Sequence, residues 1–242
     1  MLRQKIVWSW ALGVSVLLLG VPAQATVIWD GAGSPGDHGF TLGNSTGYTG
    51  TWSYDTESGV STAGTMYQNS KVEGDTPGAG TSWFTLNTAP SELSNATGWT
   101  VEVREQIIDS SGFGAAMWAG DNKGLVSMNF SNARVDFFEG QFDASSGDYS
   151  LSSGYHTFKI SVAPGDNAAE IFLDGGASSI KRIALNRASG GTSLGFGDIA
   201  GSGWAQANWD YVKVNAVPEP SSVAILVTAM LGLVAYAWRK RK

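Results

Sequence analysis

Apolar and polar residues alternate with a period of two through most of the middle of this chain. The clearest stretch is Trp99-Thr100-Val101-Glu102-Val103-Arg104. Trp99, Val101 and Val103 share one face and the polar residues share the other, which is the pattern of a half-buried strand. Similar short runs fall at Ala115–Trp118, Leu125–Phe130, Ala133–Phe137, Phe158–Val162, Ala169–Leu173, Ser193–Phe196 and Trp209–Val214. The run ending at Leu173 meets Asp174-Gly175, a strong hairpin-turn signal. Nearer the start, Thr81–Leu86 reads as a strand, and Val27–Trp29 and Thr51–Tyr54 read as two more. Gly74–Gly80 reads as a loop. Gly, Asn, Asp or Ser interrupts the pattern every 8–12 residues or so, and no amphipathic helix stands out. The expectation is an all-β sandwich or barrel, with Trp99 and Trp209 in its core.

The two ends follow a different rule, because their apolar residues are continuous. Arg3 and Lys5 precede an apolar run from Ile6 to Gly20, followed by Pro22-Ala23-Gln24-Ala25. A basic start, an apolar middle and small residues at Ala23 and Ala25 make the grammar of a secretory signal peptide. Signal peptidase is expected to cut between Ala25 and Thr26. At the other end, Pro218-Glu219-Pro220 precedes an apolar stretch over 223–238 and the basic tail Arg239-Lys240-Arg241-Lys242. That stretch of 16 residues falls just short of the usual span of about 17–25. Flanking basic residues that snorkel make a thin transmembrane helix workable, with the basic tail cytoplasmic.

These ends frame an exported segment of 192 residues, 26–217, long enough for one sizeable domain. Its most legible part is about 81–215. The segment keeps nine Lys and Arg against 20 Asp and Glu, a formal charge of about −11. Such acidity argues against nucleic-acid binding, which needs basic patches. There are no cysteines, so no disulfide, thiol nucleophile or thiolate metal site can form. Only His38 and His156 are present, which excludes a three-histidine zinc site. Of the 32 glycines, 29 lie in the exported part, as turns and bulges of a sandwich require.

The C-terminal layout of Pro-Glu-Pro, one apolar helix and a basic terminus resembles the PEP-CTERM sorting signal. The resemblance implies recognition and cleavage by an exosortase, then release to the surface or extracellular matrix of a biofilm-forming bacterium. Before processing the precursor would be anchored in the inner membrane. A second resemblance rests on four pieces in order: the Trp99 strand, Tyr155-His156-Thr157-Phe158-Lys159-Ile160, Ile171-Phe172-Leu173-Asp174-Gly175, and Trp209-Asp210-Tyr211-Val212-Lys213-Val214. Together they resemble the concanavalin A-like lectin/glucanase jelly roll, especially its laminin-G-like members. That fold implies a β-sandwich that binds or cleaves carbohydrate, or binds proteins, with the Tyr155 and Ile171 strands paired.

The glucan-cleaving members carry Glu-x-Asp-x-x-Glu on one strand. The nearest stretch here is Glu102-Val103-Arg104-Glu105, which lacks the central Asp and places its two carboxylates on opposite sides of a regular strand. No catalytic residue is assigned. Calcium is the one metal with suitable donors, from Asp109, Asp121, Asn122, Asp166, Asn167 and Asp174 near predicted turns. Turn chemistry accounts for the same residues, so no cofactor or metal ligand is assigned. For carbohydrate, the candidates are Trp118 with Asp121 and Asn122, and Trp204, since an aromatic face beside amides and carboxylates suits a sugar. The leading expectation is a non-enzymatic envelope or matrix protein that binds extracellular polysaccharide or a surface partner. The alternatives are a glycan hydrolase of the same fold and a structural matrix protein without a specific ligand.

Overall fold

The computed structural model describes residues 26–44, 51–55, 65–71, 81–86, 88, 90–112, 114–139, 143–151, 154–185, 193–199 and 203–217, together with 232, 238 and 239. Ala23, Ala25, Pro218, Glu219, Pro220, Lys240, Arg241, Lys242, most of 223–238 and the Gly74–Gly80 loop lie outside the described residues. Among the described residues no helix is long and apolar enough to cross a membrane. Ala25–Val217 forms one compact unit, and Met1–Gln24 with Pro218–Lys242 forms the other.

The strands are β1 Thr26–Trp29, β2 Phe40–Asn44, β3 Thr51–Asp55, β4 Thr65–Asn69, β5 Ser82–Leu86, β6 Trp99–Ser111, β7 Ala115–Asp121, β8 Gly124–Phe130, β9 Arg134–Glu139, β10 Asp143–Asp148, β11 His156–Val162, β12 Ala168–Leu173, β13 Lys181–Ala184, β14 Ser193–Asp198 and β15 Trp204–Ala216. They build two antiparallel sheets. Sheet A runs β13-β12-β11-β6-β15-β4-β3, with β1 also paired to β15, and sheet B runs β10-β9-β8-β7-β14-β5-β2. This is a jelly-roll β-sandwich: the alternation implied an all-β sandwich or barrel, and the concanavalin A-like resemblance implied the jelly roll. Within the unit, the only helical element among the described residues is a 3-10 turn, Pro35–His38, capped by Ser34.

The sheets meet over one core. Trp99, Val101 and Val103 of β6 enter it from sheet A, and Met117, Met128 and Phe137 enter from sheet B. Trp209 and Phe196 meet across it with ring centroids 5.0 Å apart. Trp99 and Trp209 are fully buried, as alternation required. β11 and β12 pair in register, Ile160 opposite Ile171. Asp174 and Gly175 turn the chain after β12 with φ of 50° and 70°. The long β15 holds β6 along one edge, while β4 and β1 share the other.

The structure extends the sequence reading in two ways. β2, β4, β10 and β13 were not legible as strands, because they are short and rich in glycine or polar residues. The core also reaches earlier than 81–215, since Trp29, Phe40 and Met66 are buried in it.

Candidate functional site

The outward face of sheet B follows from the same alternation that builds the core. On β7, Ala115, Met117 and Ala119 belong to the core, so Ala116, Trp118 and Gly120 point away from it. On β8, Val126, Met128 and Phe130 belong to the core, so Leu125, Ser127 and Asn129 point away. Pairing then sets out two rows across the outer face. One runs Asp136, Asn129, Ala116, Gly197, Trp83, Gly43. The next runs Phe138, Ser127, Trp118, Gly195, Thr85, Thr41.

The central part of this face is buried. Trp118, Ser127, Asn129 and Asp136 point away from the core yet are only 8%, 5%, 5% and 4% exposed. Glycine shapes its floor. The Trp118 ring lies over Gly195 of the adjacent strand, where any Cβ would overlap it. The Trp83 ring lies over Gly43 in the same way, with Cε2 2.5 Å from where a Cβ would stand. The Trp118 indole N–H donates to the Ser193 hydroxyl at 3.2 Å, which fixes the ring's orientation. Asn129 Oδ1 is buried without a hydrogen-bond partner. Asp136 accepts the Arg134 guanidinium at 3.2 Å. Burial pushes the Asp136 carboxyl above its ordinary pKa, and Arg134 partly offsets that. The face therefore carries two indole rings, an amide, hydroxyls and one carboxylate, of which Trp83 is half-buried and Trp118 buried.

The residues singled out from sequence do not come together. Trp118 lies in the middle of β7 on the outer face of sheet B, not at a strand end. Trp204 opens β15 in sheet A, half-buried, with Lys71 Nζ 4.3 Å above its ring. The two therefore lie in different sheets and cannot share one binding face. Asp121 is fully buried and turned inward, where it accepts the Trp99 indole N–H at 2.7 Å and the Lys123 amide at 2.7 Å. It is a structural acceptor with no route to a ligand. Asn122 is exposed at the β7–β8 turn. Trp83, Asn129 and Asp136 were not singled out from sequence. The available signal was Gly195-Phe196-Gly197, whose alternating glycines mark a strand face over which large rings can lie.

The other candidates resolve simply. Glu102 lies on the outer face of sheet A and accepts the Tyr211 hydroxyl at 2.7 Å, while Glu105 is buried on the core side. Burial, then the bond to Glu102, pushes the Tyr211 hydroxyl up to about 12. Their opposite orientation is the one expected from β alternation. Of the turn carboxylates weighed for calcium, Asp109 pairs with Lys71, Asp166 with Arg182, and Asp174 with His156 and the Thr157 amide. No group of three or more His, Asp or Glu placed to hold a metal occurs among the described residues.

The two sheets share the fold of solved jelly-roll β-sandwiches. The structure resembles the conserved carbohydrate esterase of the Shiga toxin-encoding bacteriophage phi24B, with TM-score 0.56 and 12% identity over 80% of this chain and 99% of that one. It also resembles the cellulose-induced protein Cip1, with TM-score 0.50 and 14% identity over 72% and 90%. A third likeness is a glycosyl hydrolase family protein from Mycobacterium fortuitum, with TM-score 0.50 and 15% identity over 80% and 100%. At these identities the likeness shows the fold. No curated protein matches the chain in sequence. Residues 216–242 match the PEP-CTERM protein-sorting motif. The chain thus carries a PEP-CTERM sorting motif after a jelly-roll domain.

Proposed function

We propose that the domain binds a polysaccharide along the outer face of sheet B, without cleaving it, at the cell surface or in the extracellular matrix. The precursor is held in the inner membrane by the helix over 223–238 until an exosortase removes the tag. One observation carries the binding reading: Trp118 and Trp83 lie over glycines in adjacent rows, beside Ser127, Asn129 and Asp136. An indole face buries the apolar C–H face of a sugar ring, while amide and hydroxyl groups meet its hydroxyls. The carbohydrate esterase and the glycosyl hydrolase family protein that share the fold support a carbohydrate ligand. Trp118 is retained from the sequence candidates. Trp204 and Asp121 are not part of this site.

The test is affinity electrophoresis of the Thr26–Val217 fragment in gels of matrix polysaccharide and soluble glucans. Retardation that falls about tenfold in Trp118→Ala and in Trp83→Ala supports the proposal, a loss of about 1.4 kcal/mol. Absence of retardation in every polysaccharide overturns it in favour of a structural matrix protein. A hydrolase is the second reading, favoured by the buried, raised Asp136 on the same face. Glycosidases of the common type use two carboxylates. New reducing ends that vanish in Asp136→Asn would establish that reading instead.

A further inference from the structure

We infer that Glu92 is a receptor for the α-ammonium group that arises at Thr26 when the leader is removed, so that processing pins the first strand onto the sandwich. The inference rests on the expected cut between Ala25 and Thr26. Thr26 Oγ1 donates to Glu92 Oε1 at 2.8 Å, across 66 residues of sequence. The Thr26 nitrogen is three bonds from its own Oγ1, which keeps it within about 7 Å of Glu92 Oε1. The second Glu92 oxygen accepts the Ser91 hydroxyl at 3.3 Å, and the carboxylate also takes a hydrogen bond from its own backbone. These hydrogen bonds, the one from Thr26 first, hold the Glu92 carboxyl below its ordinary pKa. Among the described residues no Lys or Arg pairs with Glu92. A carboxylate kept ionised, lacking a cation and bonded to the first residue of the mature chain is placed to capture a terminal amine.

The strand that follows gives the capture a consequence. β1 runs along β15, with Thr26 opposite Val214 and Val27 opposite Lys213. Its last residue, Trp29, is fully buried and stacks on Phe196 at 5.6 Å. A four-residue edge strand is a weak attachment, and a charged anchor at its free end limits fraying. The charged or titratable groups on the neighbouring elements are Glu92, Asp37 and His38 of the 3-10 turn, and Asp210, Tyr211 and Lys213 of β15.

A raised folded-state pKa of the amine makes its contribution fully present below the unfolded value. That contribution is lost as pH rises through the folded value. Among the described residues the Ala25–Val217 unit contains every strand and the core, so the Thr26–Val217 fragment is expected to fold alone. It is released from a cleavable fusion so that Thr26 is first, and its α-amine is titrated by NMR. The amine is expected to titrate about half a unit or more above the ordinary 7.7–8.0, and to return to that range in Glu92→Gln. The fragment should melt about 2 °C above its N-acetylated form at pH 6.5, with no difference by about pH 10. An amine at its ordinary value, or one unmoved by Glu92→Gln, overturns the pairing. N-terminal sequencing of the exported protein tests the cut separately. A first residue other than Thr26 overturns the physiological claim even where the fragment shows the pairing.

Discussion

Replacing Glu105 with methionine should stabilise the domain at neutral pH, and the gain should shrink as the solution is acidified. Glu105 sits on the core side of β6 and is 1% exposed, with Trp209 of β15 and His156 of β11 directly across. Its Oε2 has no hydrogen-bond partner, and burial pushes its carboxyl well above the usual range. The folded chain therefore favours the neutral acid, while the unfolded chain ionises near about 4.3. The stability linked to this group is full below that value and is lost as pH rises towards the folded value. Methionine fills similar space with an unbranched, adaptable side chain and carries no carboxyl. A buried polar atom left unsatisfied costs about 1–3 kcal/mol. A recovery of about 2 kcal/mol raises the Tm of a domain of this size by about 4–8 °C.

The assay is a series of thermal melts of the Thr26–Val217 fragment and its Glu105→Met variant from pH 4 to pH 8. His156 faces Glu105 with a buried, unpartnered Nε2 and an Nδ1 held by Asp174 at 2.8 Å. The series is repeated in a His156→Gln background, where the pH-dependent gain should persist. A lower Tm for Glu105→Met at pH 8 would refute the reasoning. So would a difference that stays constant from pH 4 to pH 8, because it would show that ionisation of Glu105 has no part in it.

Gly43→Ala should lift the Trp83 ring, since the added carbon meets only that side chain. Polysaccharide retardation should fall about as far as in Trp83→Ala, while the melt drops by only about 1–3 kcal/mol of overpacking. Asp121→Ala should cost about 2–4 kcal/mol in urea unfolding, because two hydrogen bonds to a buried carboxylate are lost and the Trp99 N–H is left unpaired. Substituting Pro218, Glu219 and Pro220 together should leave the full-length precursor in the membrane fraction, read by immunoblot against a C-terminal epitope.

The sequence by itself determined the class of fold and carried the C-terminal sorting motif. Alternation at Trp99–Arg104 survives reading without a structure because the strand period is local. The same holds for the Asp174-Gly175 turn and the apolar ends, whose grammar is a matter of composition and order. The short strands β2, β4, β10 and β13 were not legible, since their residues satisfy no local rule and are strands only because a neighbour offers them a ladder. The binding face was legible only in part. Trp118 was visible as a tryptophan beside polar residues, but its partnership with Trp83 depends on β7, β14, β5 and β2 lying side by side, and those strands come from four separate parts of the chain. Tertiary structure likewise turned Asp121 inward to Trp99 and set Trp204 in the opposite sheet. Which side chains share a face is decided by strand order and register, and those are long-range properties that no local pattern encodes.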